Sequence, residues 1–173
     1  MGIKENFVRR KLAKLTQNVS RNPVMPDVTT AKIIGVIYHP SQKEAFNYLK
    51  NYFNREHVIF KGFCVFEENS NPHPDASSLT VKDLNFWGLP KPDMIGDFVD
   101  MKFDVLLNIA LEQNLVLDYI TLLSKARFKV GWSPEENNYF DLNINIGEND
   151  DAMFLAKQQI FYLAQLKNKN QTV

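Results

Sequence analysis

The run Ile33, Ile34, Gly35, Val36, Ile37, Tyr38 and the residues after it, His39, Pro40, Ser41, Gln42, Lys43 and Glu44, decide the fold of this chain. Six residues without a polar break are the pattern of a strand covered on both faces, which arises when helices stack on either side of a sheet. His39 and Pro40 stop the run. Ser41 with Glu44 three residues on is the pattern of a capping box, in which each side chain satisfies a backbone donor at a helix start. Ala45, Tyr48, Leu49, Tyr52 and Phe53 then recur at helical spacing, and a second apolar run occupies residues 58–66. Strand, helix, strand in that order predicts a parallel pair joined by a right-handed crossover.

Working toward the C-terminus, the pattern returns. Residues 103–110 form another apolar run, 115–126 a strongly apolar helix, and Phe128, Val130 and Trp132 alternate through a further strand. Between the two units, residues 67–78 hold Asn69, Asn71, Pro72, Pro74 and Asp75 and are expected to be a loop. A short strand is expected within 79–87, followed by an irregular stretch over 88–102, where Pro90, Pro92 and Gly96 punctuate the chain. Phe140, Leu142, Ile144 and Ile146 alternate strictly with Asp141, Asn143 and Asn145, so this strand has one wet face. Its connection from Trp132 is too short for a crossover helix, which predicts an antiparallel strand at the sheet edge. Asp141 is the only charge between Phe140 and Ile146, so that edge is poorly defended. Either the chain covers it or two copies pair there as a homodimer. Asp150 or Asp151 caps a last helix that carries Phe154, Ala156, Ile160, Leu163 and Leu166.

Toward the N-terminus, Val8, Leu12, Leu15 and Val19 recur on one helical face, and residues 1–21 carry six basic side chains against Glu5 alone. The expected division is a basic amphipathic helix over 1–21, a linker over 22–31 broken by Pro23 and Pro26, a single α/β domain over 32–168, and a frayed tail over 169–173. The apolar stripe either packs on the domain or presents the helix to a partner: a protein, nucleic acid or anionic lipid. A protein partner bound through this helix is the leading functional expectation.

Composition removes several classes. With 20 Lys plus Arg against 20 Asp plus Glu the formal net charge is zero, so there is no strong nucleic-acid signal across the chain. Cys64 is the single cysteine and cannot form an intramolecular disulfide. Its apolar neighbours mark it as a core thiol rather than a nucleophile. The seven glycines match neither a dinucleotide fingerprint nor a P-loop, so no cofactor is expected. His39, His57 and His73 lie far apart with no cysteine pair beside them, and no metal is expected. No transmembrane segment and no signal peptide are expected, which makes the cytoplasm the default compartment.

What remains is the end of the first central strand. In open parallel sheets ligands bind outside the carboxyl ends of the strands. His39 and Ser41 sit there, Asn108 interrupts the second apolar run close to its carboxyl end, and Trp132 closes a third strand. These four are the candidate ligand-binding residues; no catalytic role is assigned to any of them. The resulting choice is between a non-enzymatic binding or interaction module and a small-molecule enzyme with its site at this edge.

The segments DLNFWGLPK (83–91), FDVLLNIA (103–110), SKARFKVG (124–131) and YFDLNI (139–144) resemble a bacterial family known as a domain of unknown function. The resemblance spans the chain, implies a cytoplasmic α/β protein, and carries no assigned site residue. The fold expected is a three-layer α/β sandwich with a mainly parallel twisted sheet, one antiparallel edge strand and an N-terminal amphipathic helix. Residues 33–38 and 103–110 are its central strands.

Overall fold

A computed structural model describes residues 2–18, 21–65 and 78–169. Along the chain run α1 (Ile3–Asn18), β1 (Ile33–Tyr38), α2 (Lys43–Tyr52), β2 (Ile59–Val65), β3 (Ser78–Leu79), α3 (Pro92–Val99) and β4 (Val105–Asn108). Then come α4 (Leu115–Leu123), β5 (Lys129–Gly131), β6 (Leu142–Asn143) and α5 (Ala152–Lys169). The strands form one sheet, all parallel, in the order β3-β2-β1-β4-β5-β6. β1 pairs with β2 from Ile33↔Ile59 to Tyr38↔Cys64, and with β4 from Ile34↔Val105 to Ile37↔Asn108. The two apolar runs are therefore the two central strands.

Connection handedness then distributes the helices. From β1 the chain moves one way across the sheet and from β4 the other way, so right-handed crossovers put α2 and α4 on opposite faces. Along β1 the side chains alternate accordingly. Ile34 and Val36 join a core with Leu49 and Phe53 of α2 and Leu155 and Ile160 of α5. Ile37 joins a second core with Ile95 and Phe98 of α3 and Leu117 and Ile120 of α4. These are the three layers.

α4 is apolar nearly all round because it is covered twice. Leu117 and Ile120 face the sheet, while Leu122 packs with Val8 and Leu12 of α1. The N-terminal stripe is thus docked on the domain, and each of its buried aliphatic side chains contributes roughly 1.5–3 kcal/mol. Val19 lies outside the described residues.

Three expectations are corrected. The stretch 88–102 is not irregular: Pro92 opens α3, where its missing N–H and fixed φ suit the first helical position, and Asp93 follows in the first turn. α3 is the crossover from β3 to β4. The edge strand is not antiparallel, and it does not extend over residues 140–146. β6 keeps its expected edge position but pairs parallel to β5 over Val130↔Leu142 and Gly131↔Asn143. The ten residues 132–141 return the chain to the start of the sheet without a helix, held by Asn138 Nδ2 donating to the carbonyl of Glu135 and by the Phe140 ring lying over Gly131. A Cβ at Gly131 would sit 2.3 Å from that ring, so only glycine lets the connection lie this close to the sheet. Ser41 is not a helix cap. It lies exposed inside a single 3-10 turn, Pro40–Gln42, and Gln42 precedes the first residue of α2. Of the pair Asp150 and Asp151, Asp151 caps α5, its carboxylate accepting from the Met153 N–H at 2.9 Å. The loop expected at 67–78 and the frayed tail at 169–173 lie outside the described residues, except for Ser78 in β3 and Lys169 at the end of α5.

Candidate functional site

Strand order reverses between β1 and β4, because β2 and β3 lie to one side and β5 and β6 to the other. The loops leaving β1 and β4 consequently diverge to opposite faces and leave a crevice between them. A cleft of about 290 Å³ opens there. His39, Ser41 and Gln42 line it from the β1 side, and Leu111, Glu112, Gln113 and Asn114 from the β4 side, with Asp150 completing the rim.

Its walls are fixed by hydrogen bonds that the sequence does not announce. Gln42 Oε1 accepts the His39 backbone N–H at 2.9 Å, which folds the 3-10 turn over the end of β1. The His39 ring is 7% exposed and its Nδ1 lies 2.5 Å from the carbonyl of Val65 at the end of β2. A carbonyl only accepts, so Nδ1 carries a proton and donates it to Val65. On the other wall Asn108, fully buried, donates from Nδ2 to Gln113 Oε1 at 3.0 Å and accepts the Ala110 N–H at 2.9 Å. Gln113 Nε2 donates to the carbonyls of Ala110 and Trp132, at 3.2 and 3.0 Å. One glutamine therefore ties the loop after β4 to the end of β5.

Of the four sequence candidates, His39 and Ser41 line the cleft. Asn108 lies beneath it and holds Gln113. Trp132 does not line it; its carbonyl receives Gln113 and its ring packs on the core at the α2/α5 face. Gln42, Glu112, Gln113, Asn114 and Asp150 were missed as cleft residues; Asn114 had a readable signal, a cap residue directly before an apolar helix, and Asp150 was legible only as a candidate cap of the last helix. Gln159 was missed as well. It is buried in α5, donates to the Asn108 carbonyl at 2.8 Å, and leaves Oε1 without a partner among the described residues.

The acceptors the cleft offers are the carboxylates of Glu112 and Asp150, since the amide oxygens of Gln42, Gln113 and Asn114 are taken up by the protein itself. Asn114 Oδ1 already takes the N–H groups of Val116 and Leu117, both at 3.0 Å, so the α4 N-terminus has fewer donors to offer an anion. Glu112 and Asp150 add negative charge, and among the described residues no lysine or arginine lines the wall. Such a lining favours a ligand that brings hydroxyl or amine donors.

A second polar cluster sits at the opposite end of the sheet. Lys129 is 2% exposed, and its Nζ donates to the carbonyls of Thr121 and Leu122 in the last turn of α4. Arg21 pairs bidentately with Asp141, which also accepts the Lys129 backbone N–H at 2.7 Å. Burial, and then the Arg21 charge, push the Lys129 ammonium down to about 7, with Asp141 opposing. Lys129, between Phe128 and Val130 on β5, is the internal cap of α4, satisfying carbonyls that the helix end leaves open. Asp118 of α4 pairs with Arg9 of α1 at 3.6 Å; burial raises its carboxyl to about 6 despite Arg9.

Among the described residues no helix is long and apolar enough to cross a membrane. No curated protein and no solved structure matches the chain. A family model does, over residues 4–166, which takes in the helix α1, both central strands and the cleft. The chain belongs to that family, the family of unknown function DUF6913.

Proposed function

We propose that this protein is a binding module that seats a small polar molecule, a polyol or an amine, in the crevice between the ends of β1 and β4. The observation that carries this reading is the cleft of about 290 Å³ at the reversal of strand order, its β4 wall built on the Asn108 and Gln113 hydrogen bonds. A wall whose polar groups are already bonded to one another is organised before a ligand arrives, which lowers the ordering cost of binding. The volume lies at the lower end of ligand sites and fits a small metabolite. A cytoplasmic location belongs to the same reading, supported by the single buried thiol Cys64.

A thermal-shift screen of sugars, polyols, amines and nucleotides tests it. A true ligand at 100 times its dissociation constant adds about 2.7 kcal/mol of stability. Stabilisation by polyols or amines, lost in Gln113→Leu, is the expected result; stabilisation by nucleotides alone overturns it. Glu112→Gln combined with Asp150→Asn separates the two ligand classes, since an amine loses its counter-charge while a hydroxyl can still donate to the amide oxygens.

One observation favours a second reading, a small-molecule enzyme at the same edge. His39 lines a cleft that also holds Glu112 and Asp150, side chains of the kinds that serve as general bases. Conversion of a bound ligand by the wild type, abolished in His39→Gln with binding retained, would establish the enzyme; binding without conversion establishes the module.

A further inference from the structure

α1 has a second face that the domain does not use. Ile3, Phe7, Arg10, Lys11 and Lys14 follow one another at helical spacing on the side away from the buried Val8 and Leu12. Ile3 is 92% exposed and Phe7 53%. Beside them projects the turn at 84–90, which carries Phe86 at 77% exposure and Trp87 at 44%. The Phe7 and Trp87 rings lie 5.4 Å apart and those of Phe86 and Trp87 5.5 Å apart, so the apolar groups form one continuous patch.

The turn is rigid. Asn85 Oδ1 accepts the N–H groups of Trp87 and Leu89, the Asn85 N–H donates to the Leu89 carbonyl at 2.8 Å, and Leu84 bridges Pro90. Gly88, at φ 76°, makes the reversal that no side-chain-bearing residue adopts easily. Two large aromatics are therefore held in water by a well-bonded loop, where an unconstrained chain would fold them inward.

Basic side chains flank them on both elements. Arg10, Lys11 and Lys14 are exposed along the helix, and Lys82 and Lys91 are exposed on either side of the turn. Residues 1–21 carry a net charge of +5 within a chain whose total is zero, so the remainder is negative and would be turned away from any anionic surface. The patch is also not a groove. The cleft between α1 and the turn holds only about 130 Å³, too little to receive a partner's helix or strand. A convex aromatic knuckle ringed by lysines matches the interface of an anionic bilayer, where tryptophan and phenylalanine sit at headgroup level and ammonium groups meet phosphates.

We propose that the face formed by Ile3, Phe7, Phe86 and Trp87 with Arg10, Lys11 and Lys14 docks this protein peripherally on a bilayer containing anionic lipid.

Vesicle co-sedimentation of the full chain tests it, comparing phosphatidylcholine alone with phosphatidylcholine containing about a third phosphatidylglycerol, at low and high salt. Binding to the anionic vesicles only, reversed by salt, is expected. Each basic residue near such a surface strengthens binding about fivefold, so Lys11→Gln with Lys14→Gln should weaken it roughly thirtyfold. Phe86→Ala with Trp87→Ala should weaken it at least about tenfold, with unchanged melting temperature because both residues are exposed. In a Trp132→Phe background, Trp87 emission should shift to the blue on binding. Failure to sediment with anionic vesicles overturns the proposal, as does binding that neither double variant weakens. Recruitment of the patch by an acidic protein, with no vesicle binding, also overturns it.

Discussion

Asp118 shows what a single buried charge does to this protein. Its carboxyl ionises only near pH 6 in the folded chain, because burial outweighs the attraction of Arg9, while the unfolded value is 3.8. Between those values the folded chain holds a proton that the unfolded chain has lost. The stability this proton represents is present below pH 3.8 and gone above pH 6. Asp118→Asn, which mimics the neutral acid, should therefore stabilise the protein at pH 8 by up to about 3 kcal/mol and change little at pH 4. Urea denaturation at the two values measures it; equal effects at both would show that the carboxyl is not strained by burial. Nothing near Asp118 in sequence announces this, since Val116, Leu117, Tyr119 and Ile120 mark a buried helix but not which polar member is buried with it. The site residues divide the same way. His39 and Asn108 were legible because polar groups at the end of an apolar strand must meet a cleft or a partner. Gln113 and Asp150 were not, since they reach the cleft from loops whose courses only the folded chain defines.

Among elements, α1 and α4 form a unit that local pattern described in halves. The stripe Val8, Leu12 and the doubly apolar α4 were each visible, but that one covers the other is a long-range fact. Leu12 is 1% exposed, so Leu12→Ala should cost about 2–4 kcal/mol, whereas the exposed Lys14→Ala should stay within about 0.5 kcal/mol. Melting temperatures of the two variants check this, and a small loss at Leu12 would mean that α1 is only loosely docked. Strands and helices with unbroken apolar runs were legible in kind, though the run 103–110 holds only the strand Val105–Asn108 and the helix expected over 115–126 ends at Leu123. α3 was not, because its opening proline resembles a loop signal until the sheet requires a crossover there. The direction of β6 was also hidden: a short connection normally means a hairpin, and here Gly131 and Phe140 let a helix-free segment run back along the sheet.

For the whole molecule, two buried charges act on opposite sides of neutrality. Lys129 titrates near 7 when folded and at 10.5 when unfolded, so between those values the unfolded chain binds the extra proton and stability rises with pH. Asp118 lowers stability on the way up to pH 6, and Lys129 restores some above pH 7. The contribution of this pair is thus least favourable between about pH 6 and 7. From pH 7 to 9.5 the wild type should gain roughly 3 kcal/mol, a gain that Lys129→Met removes. Above pH 10 burial of Tyr139, which raises its phenol, works the other way. Denaturation series across this range would show the loss of slope, and a slope surviving in Lys129→Met would assign it elsewhere. At the same scale, β6 offers a second copy only two ladder residues, so light scattering at micromolar concentration should give the mass of one chain, 20.0 kDa. A mass of two chains would restore pairing through that edge.

The docking of α1 on α4 also sets an order of events during synthesis. Leu12 leaves the ribosome roughly a hundred residues before its partner Leu122, and at translation speeds of about 5–20 residues per second that is a wait of roughly 5–20 seconds. Throughout it the nascent helix keeps its apolar stripe uncovered beside a dense positive charge. A chaperone acting on this chain would hold the α1 stripe until α4 arrives to take its place.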